Sequence, residues 1–303
     1  MRGYAVLASM LLAASPAPAP ERVVTGDGVV AVTINGVPGT VRADPAAPGV
    51  PLVTKEYAAR AQLKDKQRLG IGFGFSIGPT TLWARTQAVR TGWGGKPDKQ
   101  RVAWQARRFA PFAEGSVGPA GLPEPVIRFV LRPTRAGERQ FTLPIQGQGL
   151  ALFGGGWAAT YAQINVGGEP MRVLFDPGHP RSLADAGAAA RLAKAQGGTM
   201  AGAAVATEIA YGIERPVRTM TLARPLAIGG LSLATLGVRI PDTGLAVPEA
   251  NAPPPDPAEV VVTGKGKKHD GKHDQLSLGA DVLGRCSSIV FDKPGKVVRL
   301  SCL

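Results

Sequence analysis

The sequence has few of the residues from which metal sites are usually built. It contains two cysteines and three histidines among 303 residues. Two cysteines are too few for a structural zinc site, and the histidines are scattered along the chain. His269-Asp270 and His273-Asp274 could bind a metal weakly, but a solvated loop is the better interpretation of these pairs. The sequence therefore predicts neither a metal site nor a cofactor.

Long hydrophobic runs and mixed basic and aromatic segments are also missing. Beyond the N-terminal region, no segment is long and apolar enough to cross a membrane. The formal net charge is +13, but the basic residues are dispersed and no aromatic residues are interleaved with them. Nucleic-acid binding is therefore disfavoured. Attraction to an anionic cell envelope, or simple solubility, accounts for the charge better.

Glycine, proline and apolar residues, in contrast, are abundant. There are 40 glycines and 27 prolines, and 44% of the residues are hydrophobic. This composition is typical of many short strands joined by turns around a sizeable core. The length allows two lobes of about 130 residues each. We therefore predict an all-β protein with short helices.

Residues 1–20 have the pattern of a secretory signal peptide. Arg2 supplies the positive charge, residues 4–14 form a short apolar run, and small residues then alternate with proline. An uncleaved membrane anchor is the alternative. We expect an exported protein, either periplasmic or secreted, with no integral membrane segment after the signal is removed.

The two cysteines lie close together near the C-terminus, at Cys286 and Cys302. An even cysteine count in an exported chain predicts a disulfide, with two free thiols as the alternative. Closing a loop of this size would stabilise the fold by about 3 kcal/mol in the chain-entropy model. The disulfide would tie the last predicted strand, residues 297–300, to the segment that precedes it.

Residues 171–183 combine an apolar strand with a charged residue at its end. Val173, Leu174 and Phe175 form the strand, and Asp176 opens an Asp-Pro-Gly turn. A carboxylate at the end of an apolar strand is costly unless it is used or well hydrogen-bonded. Asp176 is therefore a candidate functional residue.

The same order of features occurs in the first half of the chain. Asp44-Pro45-Ala46-Ala47-Pro48 aligns with Asp176-Pro177-Gly178-His179-Pro180, and each follows a strand, a turn and a strand. Downstream, residues 116–122 resemble residues 277–283. Two features that recur in one order in halves of similar length indicate an internal duplication. Chance similarity between two β-rich segments is the alternative.

The duplication divides the chain into two predicted lobes, 21–145 and 161–303. A glycine-rich linker covers 146–160, and the second lobe carries a mobile insertion at 250–275. Helices are predicted at 54–63, with Thr54 as N-cap, and after a capping box at 182–185. Hairpin tips are predicted at Ile77-Gly78 and Tyr211-Gly212, and a further hairpin at 226–238.

Each half resembles a lobe of the retropepsin-like and pepsin-like aspartic peptidases. The family pattern is an apolar strand ending in Asp-Thr-Gly, a later flap hairpin, and an apolar-apolar-Gly motif. Residues 173–178 and 278–283 match the bacterial single-lobe retropepsin-like pattern well, whereas 41–47 and 117–118 match it more loosely. The resemblance covers nearly the whole mature chain apart from the insertion. It implies a monomer of two duplicated β-barrel lobes with a cleft between them.

The resemblance also implies an endopeptidase that works without a cofactor on a peptide or protein substrate. Asp44 and Asp176 would share one proton, because two close carboxylates do not both ionise easily. One would act as general base on a bound water, and the other as general acid towards the peptide carbonyl. The peptide would contact the two flap tips and the second loop, at Ile77, Gly78, Gly178, Tyr211 and Gly212.

Both candidate loops depart from the family pattern in the same way. Pro45 and Pro177 replace the Thr or Ser whose hydroxyl braces the two loops against each other. Ala46 replaces the first glycine, and His179 stands where the family usually has Ala, Ser or Thr. Two functions therefore remain open: an acid-biased exported peptidase, and a pseudo-peptidase that binds an extended peptide by strand addition without cleaving it. In a third interpretation, each aspartate only caps its own turn.

Overall fold

The computed structural model describes residues 19–64, 72–77, 80–145, 158–240, 271 and 274–303. Nearly all of the predicted signal peptide, most of the linker and most of the insertion lie outside the described residues. Within these ranges, no helix has the length and apolar character needed to cross a membrane.

The described part of the first half forms strands with one short α-helix and one 3₁₀ turn. The 3₁₀ turn covers Pro119–Gly121, and the labelled elements are as follows: β1 Glu21–Val24, β2 Val29–Ile34, β3 Val37–Ala43, β4 Leu52–Thr54, α1 Lys55–Arg60, β5 Gly72–Ile77, β6 Thr80–Gly92, β7 Asp98–Gln105, β8 Gly115–Val117, β9 Val126–Val130 and β10 Arg139–Pro144.

The described part of the second half repeats this succession with longer hairpin strands. Its elements are as follows: β11 Ala162–Val166, β12 Glu169–Phe175, β13 Leu183–Ala184, α2 Ala186–Gln196, β14 Gly198–Ala210, β15 Ile213–Ile228, β16 Leu231–Arg239, β17 Gln275–Leu278, α3 Ala280–Leu283, β18 Cys286–Asp292 and β19 Val297–Cys302.

Each half builds one seven-stranded sheet, and the two sheets have the same strand order. The orders are β2-β3-β8-β4-β7-β6-β5 and β11-β12-β17-β13-β16-β15-β14. The pairing directions also correspond: β3 is parallel to β8 as β12 is to β17, and β4 is parallel to β7 as β13 is to β16. The structure is therefore all-β and two-lobed, as predicted, and the second lobe repeats the topology of the first.

A third sheet joins the two lobes. Its order is β1-β9-β18-β19-β10, and its central pair, β9 with β18, combines one strand from each half in antiparallel register. Phe291 of β18 is fully buried and makes edge-on contacts with Phe129 and Phe175, at centroid distances of 5.8 and 6.1 Å. Phe175 immediately precedes Asp176, so this shared core fixes the strand that carries the second candidate acid.

The predicted disulfide between Cys286 and Cys302 is present. It links the start of β18 to the end of β19, and both residues are buried. The cross-link therefore lies in the sheet that joins the lobes, at the edge of the common core.

Helices α1 and α2 each begin at a residue whose side chain accepts a hydrogen bond from the first turn. Thr54 caps α1, as predicted, by accepting a hydrogen bond of 3.3 Å from the Tyr57 amide. The capping box predicted at 182–185 is wrong, because Asp185 is the N-cap of α2 and accepts from the Ala188 amide at 2.8 Å. Ser182 instead donates its hydroxyl to Asp281 Oδ1 at 2.8 Å.

The predicted insertion at 250–275 overlaps the described chain only at its C-terminal end. Gln275 is the first residue of β17. Asp274 is buried and forms an ion pair of 2.6 Å with Arg191, which projects from α2. The chain is therefore held firmly against the second lobe by the time it reaches β17.

Candidate active site

The two candidate acids occupy equivalent places in the two sheets. Asp44 directly follows β3, and its amide donates to the Val117 carbonyl at the end of β8, at 2.9 Å. Asp176 directly follows β12, and its amide donates to the Leu278 carbonyl at the end of β17, at 2.8 Å. In each lobe two parallel strands therefore end side by side, and the aspartate is the first residue after one of them.

Both acids open a tight turn that suits the Asp-Pro sequence. The Ala47 amide donates to the Asp44 carbonyl and the His179 amide donates to the Asp176 carbonyl, each at 3.1 Å. Aspartate is favoured at the first position of such a turn and proline at the second, where the fixed φ of proline is already suitable. The prolines that depart from the family pattern are therefore compatible with the loop geometry.

The turns do not require glycine. Neither Ala46 nor Gly178 lies in the left-handed region of φ, so an alanine adopts the first turn without strain. Each turn also holds one oxygen of its own acid: Ala46 donates to Asp44 Oδ1 at 2.8 Å, and His179 donates to Asp176 Oδ1 at 3.2 Å. Within the described chain, no hydrogen bond occupies the second oxygen of Asp176.

One cavity of about 1780 Å³ contains both acids. It lies between the lobes, and its walls include most of the site residues predicted from the sequence. Those on the wall are Asp44, Asp176, Gly178, Tyr211 and Gly212.

The electrostatics of the two acids are linked. Burial raises the pKa of Asp176 to about 6, and the negative charge of Asp44 adds to this rise, while His179 and Arg42 oppose it. Burial also raises the pKa of Asp44, against the charge of Arg42 and the hydrogen bond from Ala46. The two carboxyls are therefore close enough for the ionisation of one to hinder ionisation of the other.

Arg42 brings a positive charge into the same space. Its Nε lies 3.9 Å from Asp44 Oδ2. A β-carbon placed on Gly178 would lie 3.2 Å from Arg42 Nη2 and 3.6 Å from Asp176 Oδ1. The Arg42 guanidinium therefore extends from the end of β3 to the second loop, where the absence of a side chain at Gly178 leaves space for it.

The hairpin of β14 and β15 covers the cavity, and its tip is the predicted Tyr211-Gly212. Both tip residues have positive φ, +55° and +72°, as a two-residue hairpin turn requires. The tip reaches the first lobe, where the Tyr211 ring meets Phe109 edge-on at 5.3 Å and Arg107 Nη1 donates to the Tyr211 carbonyl at 2.7 Å. This hairpin is thus a flap closed across the cleft.

Tyr211 also faces the acids. Burial raises the pKa of its phenol, the negative charges of Asp44 and Asp176 raise it further, and the interaction with Ser116 acts in the opposite direction. Ser116 is itself buried in β8. A phenol that keeps its proton beside two carboxyls is suited to donating a hydrogen bond inside the cavity.

His179 connects the second loop to the flap. Its Nε2 lies 3.0 Å from the Glu208 carbonyl in β14, and its Nδ1 lies 2.6 Å from the Arg181 carbonyl. The Arg181 amide also donates to Nδ1, at 3.2 Å, so the ring is held by backbone groups of both the second loop and the hairpin. Glu208 in turn accepts from the Gly212 amide at 2.7 Å, which continues the connection to the flap tip.

The predicted tip of the first-lobe hairpin is only partly described. Ile77 is the last residue of β5 and pairs with Thr80, while Gly78 lies outside the described residues. The part of β5 on the cavity wall is nearer its start, at Gly72, Phe73 and Gly74.

No motif in the sequence singled out the arginines of the cavity. Five of them reach its wall, and only the position of Arg172 in β12 could have been found from strand alternation. Arg172 lies four residues before Asp176, so the two side chains share one face of the strand. The cavity arginines are Arg42, Arg108, Arg172, Arg215 and Arg239.

Comparison with known proteins adds no assignment. No protein-family model matches the sequence. No curated protein is significantly similar to it. In the described ranges, no three His, Cys, Asp or Glu side chains are grouped as a metal ion would need.

Proposed function

We propose that this chain is an aspartic-type endopeptidase that cleaves extended peptides in the cleft between its lobes. One observation carries the proposal. Two loops at equivalent positions of a repeated topology bring Asp44 and Asp176 into one cavity, where the charge of one raises the pKa of the other. This is the electrostatic arrangement that two carboxyls need in order to share a proton.

The charges around the pair favour one distribution of that proton. Arg42 lies beside Asp44 and stabilises its anion, whereas Asp176 has a pKa of about 6 and keeps its proton in mildly acidic solution. Asp44 then takes a proton from a water held between the acids. Asp176 gives its proton to the carbonyl oxygen of the peptide as the water oxygen attacks the carbonyl carbon.

The flap would exclude bulk water from the acids and would help to bind the peptide. Tyr211 and Gly212 close over the acids, which limits the access of bulk water and strengthens the electrostatic interactions inside. The outer strand β14 offers backbone groups to a peptide that lies extended in the cleft. Opening of this hairpin is needed before a substrate can enter, because Tyr211 contacts Phe109 across the cavity.

A pseudo-peptidase that binds peptides in the same cleft is the second candidate. The observation in its favour is that Asp44 Oδ1 and Asp176 Oδ1 each accept a hydrogen bond from their own turn. Pro45 and Pro177 also provide no hydroxyl to brace one loop against the other. In this case the aspartates only stabilise the conformation of their own turns, and the cleft binds an extended peptide without cleaving it.

Cleavage of unfolded casein between pH 4 and pH 6 distinguishes the two functions. We expect the purified protein to cleave it, and Asp44→Asn and Asp176→Asn each to abolish cleavage with little change in melting temperature. Asp98→Asn, on the exposed end of β7, is the matched control and should keep full activity. Activity that survives in both cleft variants would refute the proposed mechanism, whereas peptide binding without any cleavage would identify the pseudo-peptidase.

The proposal includes the setting expected from the sequence. We infer that the protein acts as an exported monomer, in the periplasm or outside the cell, on peptide or protein substrates. The signal-like pattern of residues 1–20 supports export. The disulfide between Cys286 and Cys302 is in keeping with an oxidising compartment.

A further inference from the structure

Arg42 lines the cavity with a guanidinium that forms no hydrogen bond with the described residues. Its Nε lies 3.9 Å from Asp44 Oδ2, which is beyond the length of a good hydrogen bond. The side chain is only 31% exposed, so the charge lies largely inside the cleft. Because an arginine keeps its charge at any pH that a folded protein meets, its N–H groups remain donors there. Arg42 is therefore available to bind an acceptor on a ligand.

The backbone and the stem of Arg42 are held in place by the first lobe. The residue lies inside the sheet, where it pairs with Val29 of β2 on one side and Ser116 of β8 on the other. Its Cγ passes close to Gly28, since a β-carbon on that glycine would lie 3.5 Å from it. A side chain that starts from a central strand and passes along neighbouring backbone loses less conformational freedom when its end binds a ligand.

The Arg42 guanidinium extends between the two loops that carry the acids. Its Nε is the atom near Asp44, and its Nη2 is the atom near the second loop, 3.2 Å from where a β-carbon on Gly178 would lie. The same point is 3.6 Å from Asp176 Oδ1. Because residue 178 has no side chain, the space between Nη2 and the Asp176 carboxyl is left open. A ligand oxygen that enters this space meets both groups.

The reaction proposed above brings an oxygen to this place. As the water oxygen bonds to the carbonyl carbon, the electron pair of the C=O bond moves to the carbonyl oxygen, which becomes negative until it takes the proton of Asp176. The water proton goes to Asp44. A fixed cation that faces this oxygen lowers the barrier, because the attraction is stronger in the transition state than in the substrate. The guanidinium keeps its own protons and only donates a hydrogen bond.

We propose that Arg42 is a catalytic residue, whose Nη2 donates a hydrogen bond to the carbonyl oxygen that faces Asp176 and stabilises the negative charge formed there. This deepens the proposed function and, as catalysis, rests on it. The underlying contact, a guanidinium that binds an anionic oxygen beside Asp176, does not depend on cleavage. The first lobe alone supplies this group, because the corresponding residue of the second lobe is Leu174.

Binding of labelled peptides that cannot be cleaved tests this contact without requiring turnover. In one set of ten-residue peptides the central bond is replaced by a phosphinate, whose tetrahedral anion resembles the transition state. In the reference set it is replaced by a neutral hydroxyethylene group. Both sets carry two alanines, two leucines or two phenylalanines at the centre, and affinities are measured by fluorescence anisotropy at pH 5.

Replacing Arg42 by glutamine should affect the two sets differently. Arg42→Gln should weaken binding of the tightest phosphinate peptide by about tenfold or more, because a charge-assisted hydrogen bond is lost. The matching hydroxyethylene peptide should bind as it does to the wild type. Arg42→Lys, which keeps the charge without the planar pair of donors, should retain part of the phosphinate affinity. If the wild type cleaves peptides, Arg42→Gln should lower kcat by about tenfold or more with little change in KM.

Two further variants guard against a folding defect. Gly178→Ala displaces the guanidinium without removing it and should weaken phosphinate binding by a smaller amount. Arg224→Gln is the matched control, since Arg224 donates to the Ala195 carbonyl away from the cavity. An Arg42→Gln protein that binds both peptide types as the wild type does, or loses both equally, would overturn the role of Arg42, and wild-type cleavage would then leave the peptidase proposal standing. An Arg42-dependent phosphinate preference in a wild type that cleaves nothing would remove the peptidase proposal and keep the contact. Failure of every peptide to bind would overturn both.

Discussion

Arg42, near the end of β3, approaches Gly178 of the second loop so closely that a β-carbon at position 178 would lie 3.2 Å from its Nη2. The corresponding positions of the other lobe hold Leu174 and Ala46, so the duplicated fold is asymmetric at its centre. The guanidinium is near both acids and favours their charged forms. One lobe therefore contributes a cation that influences the titration of the acids in both.

Replacing Arg42 by methionine should move the pH dependence of cleavage. Without the guanidinium the pKa of Asp176 rises further, so the shared proton is kept to higher pH and the alkaline limb of the rate profile moves upward. Gly178→Ala should move this alkaline limb in the same direction by a smaller amount, because the added methyl group displaces Arg42. The position of the limb is measured from initial rates of cleavage of a quenched fluorescent peptide between pH 3 and pH 8. Ala46→Gly, at the corresponding position of the first loop, is the control, and an unmoved limb in Arg42→Met would contradict this role.

The raised pKa of Asp176 also predicts how stability varies with pH. An unfolded aspartate has a pKa of about 3.9, and the folded value is about 6, so the folded protein binds more protons between these values. The stabilisation from the protonated acid is fully present below pH 4 and is lost as the pH rises through 6. Asp176→Asn lacks this dependence, because its amide does not titrate.

Urea unfolding of both proteins at pH 4.5 and pH 7.5 measures this effect. From pH 4.5 to pH 7.5, the free energy of unfolding of the wild type should fall relative to that of Asp176→Asn by on the order of 2 kcal/mol. A difference that is the same at both pH values would show that Asp176 titrates normally. Asp98→Asn, at an exposed position, should follow the wild type throughout.

The contact of the flap with the first lobe predicts a local change in dynamics. Arg107→Gln removes the donor to the Tyr211 carbonyl, and Phe109→Ala removes the ring that packs against Tyr211. Either variant should open the flap more often and increase hydrogen exchange at amides 209–214, with no change in the sheet that joins the lobes. Arg90→Gln, on the exposed side of β6, is the control. Unchanged exchange in both variants would mean that other contacts keep the flap closed.

The sequence was sufficient to predict the features that recur or that depend on near neighbours. The matched Asp-Pro turns at 44 and 176 indicated a duplication, and the repeated strand order confirms it. Thr54 was correctly identified as a cap because its partner amide is only three residues away. The Tyr211-Gly212 tip followed from a turn between two strands of alternating pattern.

Features that depend on distant partners could not be predicted in the same way. Ser182 looked like a helix cap, but Asp281, far along the chain, engages it, and Asp185 caps α2 instead. Arg172, Arg215 and Arg239 come from β12, β15 and β16, so these arginines are dispersed in the sequence and reach one cavity only in the fold. Alternation along β12 was the one local signal, since it places Arg172 on the face of Asp176.

The most direct test of the central claim is the titration of the two acids themselves. In protein labelled with ¹³C at the aspartate carboxyl carbons, signals are assigned from their loss in Asp44→Asn and Asp176→Asn. The Asp176 signal should titrate near pH 6, and in Asp44→Asn its midpoint should move towards lower pH, because the neighbouring charge has been removed. A midpoint near 4 that is the same in both proteins would contradict the account, since the acids would then be independent and would share no proton.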